Sequence, residues 1–360
     1  MRWTSNAWVS GAKGLAIGLA GGLLGAVAHI PLPWLIGPLV AVAASRFAGA
    51  EVSALPGSRQ AGQWIIGTAL GLYFTPDVAA LVARLWWLLL IGGAFALALG
   101  YLCGYLLHAL TRVDKTTAVF ASVPGGAAEM SVLGERYGAR VDVVAAAQSL
   151  RIALVVLTIP ALFAALGLHG ADVFRPGTSE VQLLGLGALL GATLLGGLLF
   201  VRSGLPNAFI LGALAVAIPL TIADVNLSAV PRPLSNAAQL LLGCALGARF
   251  ERGFLHQAPR VAGAVVLSVA LAMVLSALVA WAMAVATKLN VATLVLATAP
   301  GGIAEMAITA KVLELGVPLV TAFHVTRLVI LLTCTGPLFA SLRRYRAARR
   351  TRLNPRGPVA

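Results

Sequence analysis

The amino-acid sequence predicts an all-α polytopic membrane protein made of two homologous halves, each with five spans and one re-entrant or broken helix. Three observations carry that expectation. Of 360 residues only 11% are charged and 59% are hydrophobic, with a mean hydropathy of +0.93. Soluble proteins average about 25% charged residues, so this apolar surface exceeds what a water-facing fold can hide and is expected to face lipid. A heptapeptide containing Pro-Gly-Gly occurs twice, and the basic residues collect on one side of the topology that results.

The segments follow in order. Apolar stretches lie near residues 11–30, 34–48, 62–74, 85–110 and 142–168, and again near 182–201, 207–223, 237–248, 260–286 and 318–341. Arg2 and Lys13 ahead of the run 14–28, which ends in Ala26, Val27 and Ala28, also fit a signal peptide. A similar run at 183–200 sits mid-chain, which favours a retained first helix. PGGAAEM at 124–130 returns as PGGIAEM at 300–306, a displacement of 176. The same displacement relates Gln63, Gly67 and Gly71 to Gln239, Gly243 and Gly247, and Arg151 to Arg327. So long a register of matches marks an internal duplication, with a first membrane repeat over 1–175, a second over 176–342 and a basic tail over 343–360. Segments 34–48 and 62–74 are short for a span. Short, Gly/Pro-interrupted segments in matching positions point to broken helices around a transport site.

The formal charge is +14, and a pI near 11 raises nucleic acid as a partner. Placement argues for membrane orientation instead. Arg343, Arg344, Arg346, Arg349, Arg350, Arg352 and Arg356 crowd the last eighteen residues, as at a cytoplasmic end beside anionic lipid. With that tail inside and each PGG segment entering and leaving by one face, Arg2, Lys13, Arg46, Arg59, Arg112, Lys115, Arg202, Arg249, Arg252 and Arg260 fall on the cytoplasmic side. Asp77, Asp224, the acidic linker 172–180, Arg232 and Lys288 fall outside. The expectation is inverted halves, ten spans and two re-entrant segments in a bacterial inner membrane, with a cytoplasmic C-terminus. A twelve-span alternative makes the halves parallel and puts linker and tail on the same side. Cys103, Cys244 and Cys334 form no CxxC and read as packing residues, and the histidines show no ligand spacing. No metal and no cofactor is expected. Trp34, Trp64, Trp86 and Trp87 read as interfacial or packing aromatics.

Proline followed by two glycines cannot continue a helix. Unpaired backbone at membrane depth needs protein or a water-filled cavity to cover it. Pro124, Gly125 and Gly126, with Pro300, Gly301 and Gly302, are therefore expected to open a cavity where a new helix starts. Its first amides and the positive end of its dipole favour an anion. Glu129 and Glu305 fall in that first turn, either capping their own helices or binding protons or a cation. Arg151 and Arg327 lie about ten residues into long apolar segments, too deep to reach an interface. Glu129 and Glu305 are the nearest acids, which predicts an ion pair in each half; the alternative is that these groups only hold the broken helices in place. Gln148 and His324 stand three residues before each arginine, on the same helix face. Their difference makes the two half-sites chemically distinct, since histidine titrates near neutral pH. Asp142 is expected to cap the helix that follows it.

Through PGGAAEM with QSLRI at 148–152, and PGGIAEM with HVTRLVI at 324–330, the chain resembles the bacterial AbrB-duplication membrane family over nearly all of residues 10–341. That resemblance implies a membrane protein labelled as a transcriptional regulator or an ammonia monooxygenase, with a role in regulation of gene expression. The sequence shows no copper or iron ligand cluster and leaves no room for a DNA-binding domain, so neither an enzyme nor direct nucleic-acid contact is expected. Two function classes stand. One is a secondary transporter or exporter of a small polar or anionic solute, coupled to protons or sodium, with its site in the two PGG segments; no nucleotide-binding loop is present. The other is a membrane sensor that affects gene expression indirectly through its basic tail. The bilayer is the expected partner, and a homo-oligomer is left open.

Overall fold

The structure, a computed structural model, describes residues 5–170, 174, 176–178, 180–250 and 259–353, with the helical backbone alone from 346 to 353. Asp172, Arg252 and Arg356, with the side chains of Arg346, Arg349, Arg350 and Arg352, lie outside the described residues. Fifteen α-helices and no strand occur among the described residues. Up to residue 175 these are α1 (Ser5–Val27), α2 (Pro33–Phe47), α3 (Ser58–Gly71), α4 (Pro76–Arg84), α5 (Trp86–Thr111), α6 (Lys115–Ser122), α7 (Ala127–Arg136) and α8 (Val141–Ala165). Beyond it come α9 (Leu183–Arg202), α10 (Ala208–Ile222), α11 (Arg232–Gly247), α12 (Pro259–Thr287), α13 (Val291–Thr298), α14 (Ile303–Val312) and α15 (Val317–Leu353).

Each of the ten apolar segments is helical. Among the described residues, however, six single helices rather than ten are long and apolar enough to cross a membrane: α1, α5, α8, α9, α12 and α15. A seventh candidate is α3 with α4, bent by 94°. The sequence reading had no α4. It also ends the last span near residue 341, whereas the membrane-length part of α15 runs to Tyr345 and the helix continues to Leu353. Leu24 and Val27 of α1 and Leu183 and Leu184 of α9 are among the most exposed apolar side chains, Leu184 at 93%. In water such surface would be a liability; in a bilayer it is the lipid-facing side.

Small residues set the helix packing. A Cβ on Gly21 of α1 would come within 2.5 Å of the Gly37 carbonyl oxygen on α2, and one on Gly196 of α9 equally close to the Gly212 oxygen on α10. Between helices in lipid there is little hydrophobic drive, and close backbone approach supplies the attraction. Gly67 and Gly71 of α3 seat against Ile210 and Ala217 of α10, whereas Gly243 and Gly247 of α11 seat against Leu35 and Leu39 of α2. Trp64 Nε1 and the Thr68 hydroxyl both donate to Thr193 Oγ1, at 3.0 and 2.9 Å, and pin α3 to α9.

These contacts gather α1, α2, α3, α9, α10 and α11 into one bundle, while α5 to α8 and α12 to α15 form a second. Each bundle draws helices from both parts of the chain, and α4 passes between the bundles. The glycine contacts make α3 run parallel to α10, and α11 parallel to α2. By contrast α3 and α11 are antiparallel: Arg59 shares a cavity with Arg249, and Tyr73 a wider vestibule with Arg232. In the second bundle the Cys103 thiol of α5 donates to the Ser268 carbonyl of α12 at 3.5 Å. Cys244 is also buried, but Cys334 is exposed, which departs from its reading as a packing residue. Trp34 packs on Gly22, while Trp86 and Trp87 are exposed on the outer surface.

Candidate functional site where two broken hairpins meet

Val123 precedes Pro124, and the proline ring drives it out of the helical region to ψ 126°, which ends α6. Ala299 before Pro300 takes ψ 143° and ends α13 in the same way. Helices α7 and α14 restart from extended Gly126 and Gly302. The chain then doubles back. Asp114 caps α6 by accepting from the Thr117 amide at 2.8 Å, and Thr117 Oγ1 accepts from the Arg140 amide, past the end of α7, at 2.8 Å. Asn290, Thr293 and Gly316 form the same clip around α13 and α14. Phe120 and Tyr137 stack with centroids 5.6 Å apart along the first hairpin. Each hairpin tip is a PGG segment, and both tips line a single cavity of about 60 Å³, room for a few water molecules.

A broken helix leaves its last carbonyls without partners. Gln148 on α8 donates through Nε2 to the carbonyls of Phe120, Ala121 and Val123 at 2.8, 3.3 and 2.8 Å. Arg151, one turn on, donates from Nη1 to Val123 O at 3.0 Å and from Nη2 to Gly125 O at 2.9 Å. On α15, His324 Nε2 meets the Leu296 carbonyl at 2.9 Å. Arg327 Nη1 donates to Ala299 O at 2.6 Å and Nη2 to the Gly301 carbonyl.

The ion pairs expected between Glu129 and Arg151, and between Glu305 and Arg327, do not form. Among the described residues the one ion pair is Arg140 with Asp142, 2.9 Å apart and exposed. The carbonyls prevail because the break presents two of them to a planar guanidinium fork, and without it Gly125 O in the first repeat and both carbonyls in the second would lose their side-chain donor. Glu129 and Glu305 bend back instead over Gly126 and Gly302, where their carboxylate oxygens fill the space a Cβ would take. That puts negative charge on the first turns of α7 and α14, where the helix dipole favours it. Asp142 differs from expectation as well: Arg140 is the N-cap of α8, and no side chain caps it.

Of the residues singled out in the sequence, Pro124, Gly125, Gly126, Arg151, Gly301, Gly302, Glu305, His324 and Arg327 line the cavity. Pro300 lines a smaller space beside Pro124, Arg151 and Cys103. Gln148 is wholly buried, and Glu129 acts on the cavity through its charge on Arg249. Arg59 and Arg249, which the sequence reading assigned to topology alone, belong to the cavity wall with Gln63 and Asn207. Arg59 Nη2 and Gln63 Nε2 both donate to Asn207 Oδ1, at 3.1 and 2.9 Å. The signal was available: two polar residues one helical turn apart at the head of an apolar segment share a face. Around the cavity Arg151 Nε, Arg327 Nε, His324 Nδ1 and Glu129 Oε2 are buried without a hydrogen-bond partner. Among the described residues no group of three or more His, Cys, Asp or Glu side chains is placed to hold a metal ion.

Six membrane-length helices around two broken hairpins, with arginines and glutamates at the hairpin tips, define a multi-pass helical membrane protein with a polar site inside it. The chain belongs to the AbrB family: residues 34–343 match the family described as Transition state regulatory protein AbrB. It is 26% identical to "Uncharacterized protein YhjN" of Bacillus subtilis (strain 168), over 91% of this chain and 92% of that protein. It is 27% identical to "Putative regulator AbrB" of Escherichia coli (strain K12), over 87% of this chain and 90% of that protein. No solved structure matches the chain.

Proposed function

We propose that this protein is a secondary transporter of a small anionic solute, with its site where the two PGG hairpin tips meet. The observation that carries the reading is the set of buried, unpartnered polar atoms around a cavity bounded by two helix breaks. Native interiors pair such atoms with protein, water or a bound group. Four arginines, Arg59, Arg151, Arg249 and Arg327, face the carboxylates of Glu305 and, through its charge on Arg249, Glu129. The excess of positive charge, with the amide ends of α7 and α14, suits an anion. Glu129 and Glu305 are the groups on which a coupling proton or sodium ion would act.

In this reading residues 1–175 and 176–342 are inverted repeats, and ten spans with two re-entrant hairpins sit in a bacterial inner membrane, the C-terminus in the cytoplasm. The antiparallel course of α3 and α11, which the 176-residue displacement makes counterparts, favours it over a parallel arrangement. So does the hydrogen-bonded base of each hairpin, which returns the chain to the side it came from. Two bundles, each with members from both repeats, are the parts that alternating access moves against one another.

The decisive experiment is flux in proteoliposomes across a panel of radiolabelled small organic and inorganic anions, with the double variant Glu129→Gln, Glu305→Gln as control. A flux that the double variant leaves unchanged would eliminate this site. The regulatory reading rests on the names of the family and of the E. coli relative. Removing residues after Tyr345 separates the two, because a transporter keeps its flux without the tail, whereas a protein that signals through the tail loses its regulatory effect.

A further inference from the structure

A much larger space beside the site is a vestibule of about 930 Å³ between α3, α11, α14 and residues Phe174, Pro176, Thr178 and Val181. Its size is that of a small-molecule pocket. Ile66 and Leu70 of α3 and Ile308 of α14 give it an apolar wall. Into that wall is set Lys311, half-buried, with its ammonium 5.9 Å from the centroid of the Tyr73 ring. No carboxylate lies within ion-pair distance of Lys311 among the described residues. The charge acting on it is a second cation, Arg232, and the acid at the vestibule is the exposed Glu314. A half-buried ammonium with a cationic neighbour and no counter-ion is costly unless something anionic visits. The duplicated hairpin does not require it, because the first repeat carries the exposed Glu135 at the corresponding position. A second, independent feature lines the same vestibule. Ser235 Oγ on α11 is buried and without a partner, beside Asn236 and Gln239 in the same wall.

We propose that this vestibule binds an organic monoanion, its carboxylate held by Lys311 and the Ser235 hydroxyl and its apolar body lying on Ile66, Leu70 and Ile308. Gln63 and Glu305 line the inner cavity, and Ile66 and Ile308, one helical turn further along the same helices, line the vestibule. Lys311 lies nine residues along α14 from Gly302, so a solute seated on it is about 14 Å, or two to three helical turns, from the PGG tips. The role as loading site rests on the transporter reading; the binding itself does not.

The test uses the full chain purified in detergent, with calorimetric titration of benzoate, of acetate as the head group alone, and of benzyl alcohol as the body without charge. Benzoate is expected to bind more tightly than acetate, competitively with chloride, and benzyl alcohol not to bind. Lys311→Met should weaken benzoate about tenfold and Lys311→Arg should leave it nearly unchanged, as loss or retention of a charge-assisted contact requires. Exposed Arg232→Gln, which keeps the helix start, should weaken it about threefold and serves if Lys311→Met does not fold. No binding of either carboxylate, equal binding of benzyl alcohol, or full benzoate affinity in both charge-removing variants would overturn the proposal. Benzoate binding that survives while flux ignores the Glu129 and Glu305 substitutions counts against the transporter reading alone.

Discussion

Arg151 and Arg327 each span a break in the backbone with the two arms of one guanidinium. A lysine carries the charge without the fork, so Arg327→Lys should leave a buried carbonyl unpaired and cost about 1–3 kcal/mol, and Arg151→Lys should cost less because Gln148 still holds the Val123 carbonyl. Thermal unfolding in detergent reads that loss. Gln148 and His324 do the same work with different chemistry, the amide reaching three carbonyls and the imidazole one. His324→Gln is therefore expected to keep the fold and its unfolding midpoint. If His324 carries the coupling proton, the same variant flattens the pH profile of flux, and an unchanged profile removes it from that role. The paired positions of these residues were legible because a charged or amide side chain deep in an apolar run needs a reason. Their partners were not, because sequence displays side chains, and the partners here are main-chain oxygens freed by a proline.

The hairpins depend on small clips rather than on large cores. Thr117 and Thr293 each accept the amide that closes a hairpin base, and both are buried. Thr117→Val and Thr293→Val should each cost about 1–2 kcal/mol by orphaning that amide, read as faster deuterium exchange at Arg140 and Gly316. Helix α13 has a further clasp, in which Ser276 and Thr298 exchange hydroxyl-to-carbonyl bonds at 3.1 Å. The first repeat meets the same need with Gly100, where a Cβ would approach Val123 Cα to 2.7 Å. Gly67→Val and Gly243→Val should unseat α3 from α10 and α11 from α2, giving poorly folded protein of low yield. All ten apolar segments could be read from hydropathy, and the hairpins from Pro-Gly-Gly. Helix α4 could not, since its nine residues include Asp77 and Arg84 and it turns 94° from α3, so no apolar run announces it. The cavity role of Arg59 was legible from Gln63 one turn on, but that of Arg249 was not, because charges at helix ends satisfy the positive-inside rule whether or not they also turn inward.

At the scale of the whole molecule the topology is the first thing to test. A reporter fused at Gly177 and another placed after Tyr345 are expected on opposite sides of the membrane, and finding both on one side would sink the inverted arrangement. The first bundle also holds two short helices. Helices α2 and α10 have 15 residues each, whereas α5, α8 and α12 have 26, 25 and 29. Fifteen helical residues reach about 22 Å, short of a hydrocarbon core of about 30 Å. Where these two helices meet lipid, at exposed Val40 and Ile222, the bilayer must thin or tilt its chains to meet their ends, at a fraction of a kcal/mol per ångström, while α1 and α9 beside them, with 23 and 20 residues, are long enough to span. A protein with two short helices set into a wall of full-length ones is sensitive to acyl-chain length: in vesicles of 14-carbon phosphatidylcholine it should run faster than in 22-carbon vesicles, so that membrane composition becomes a control on its activity.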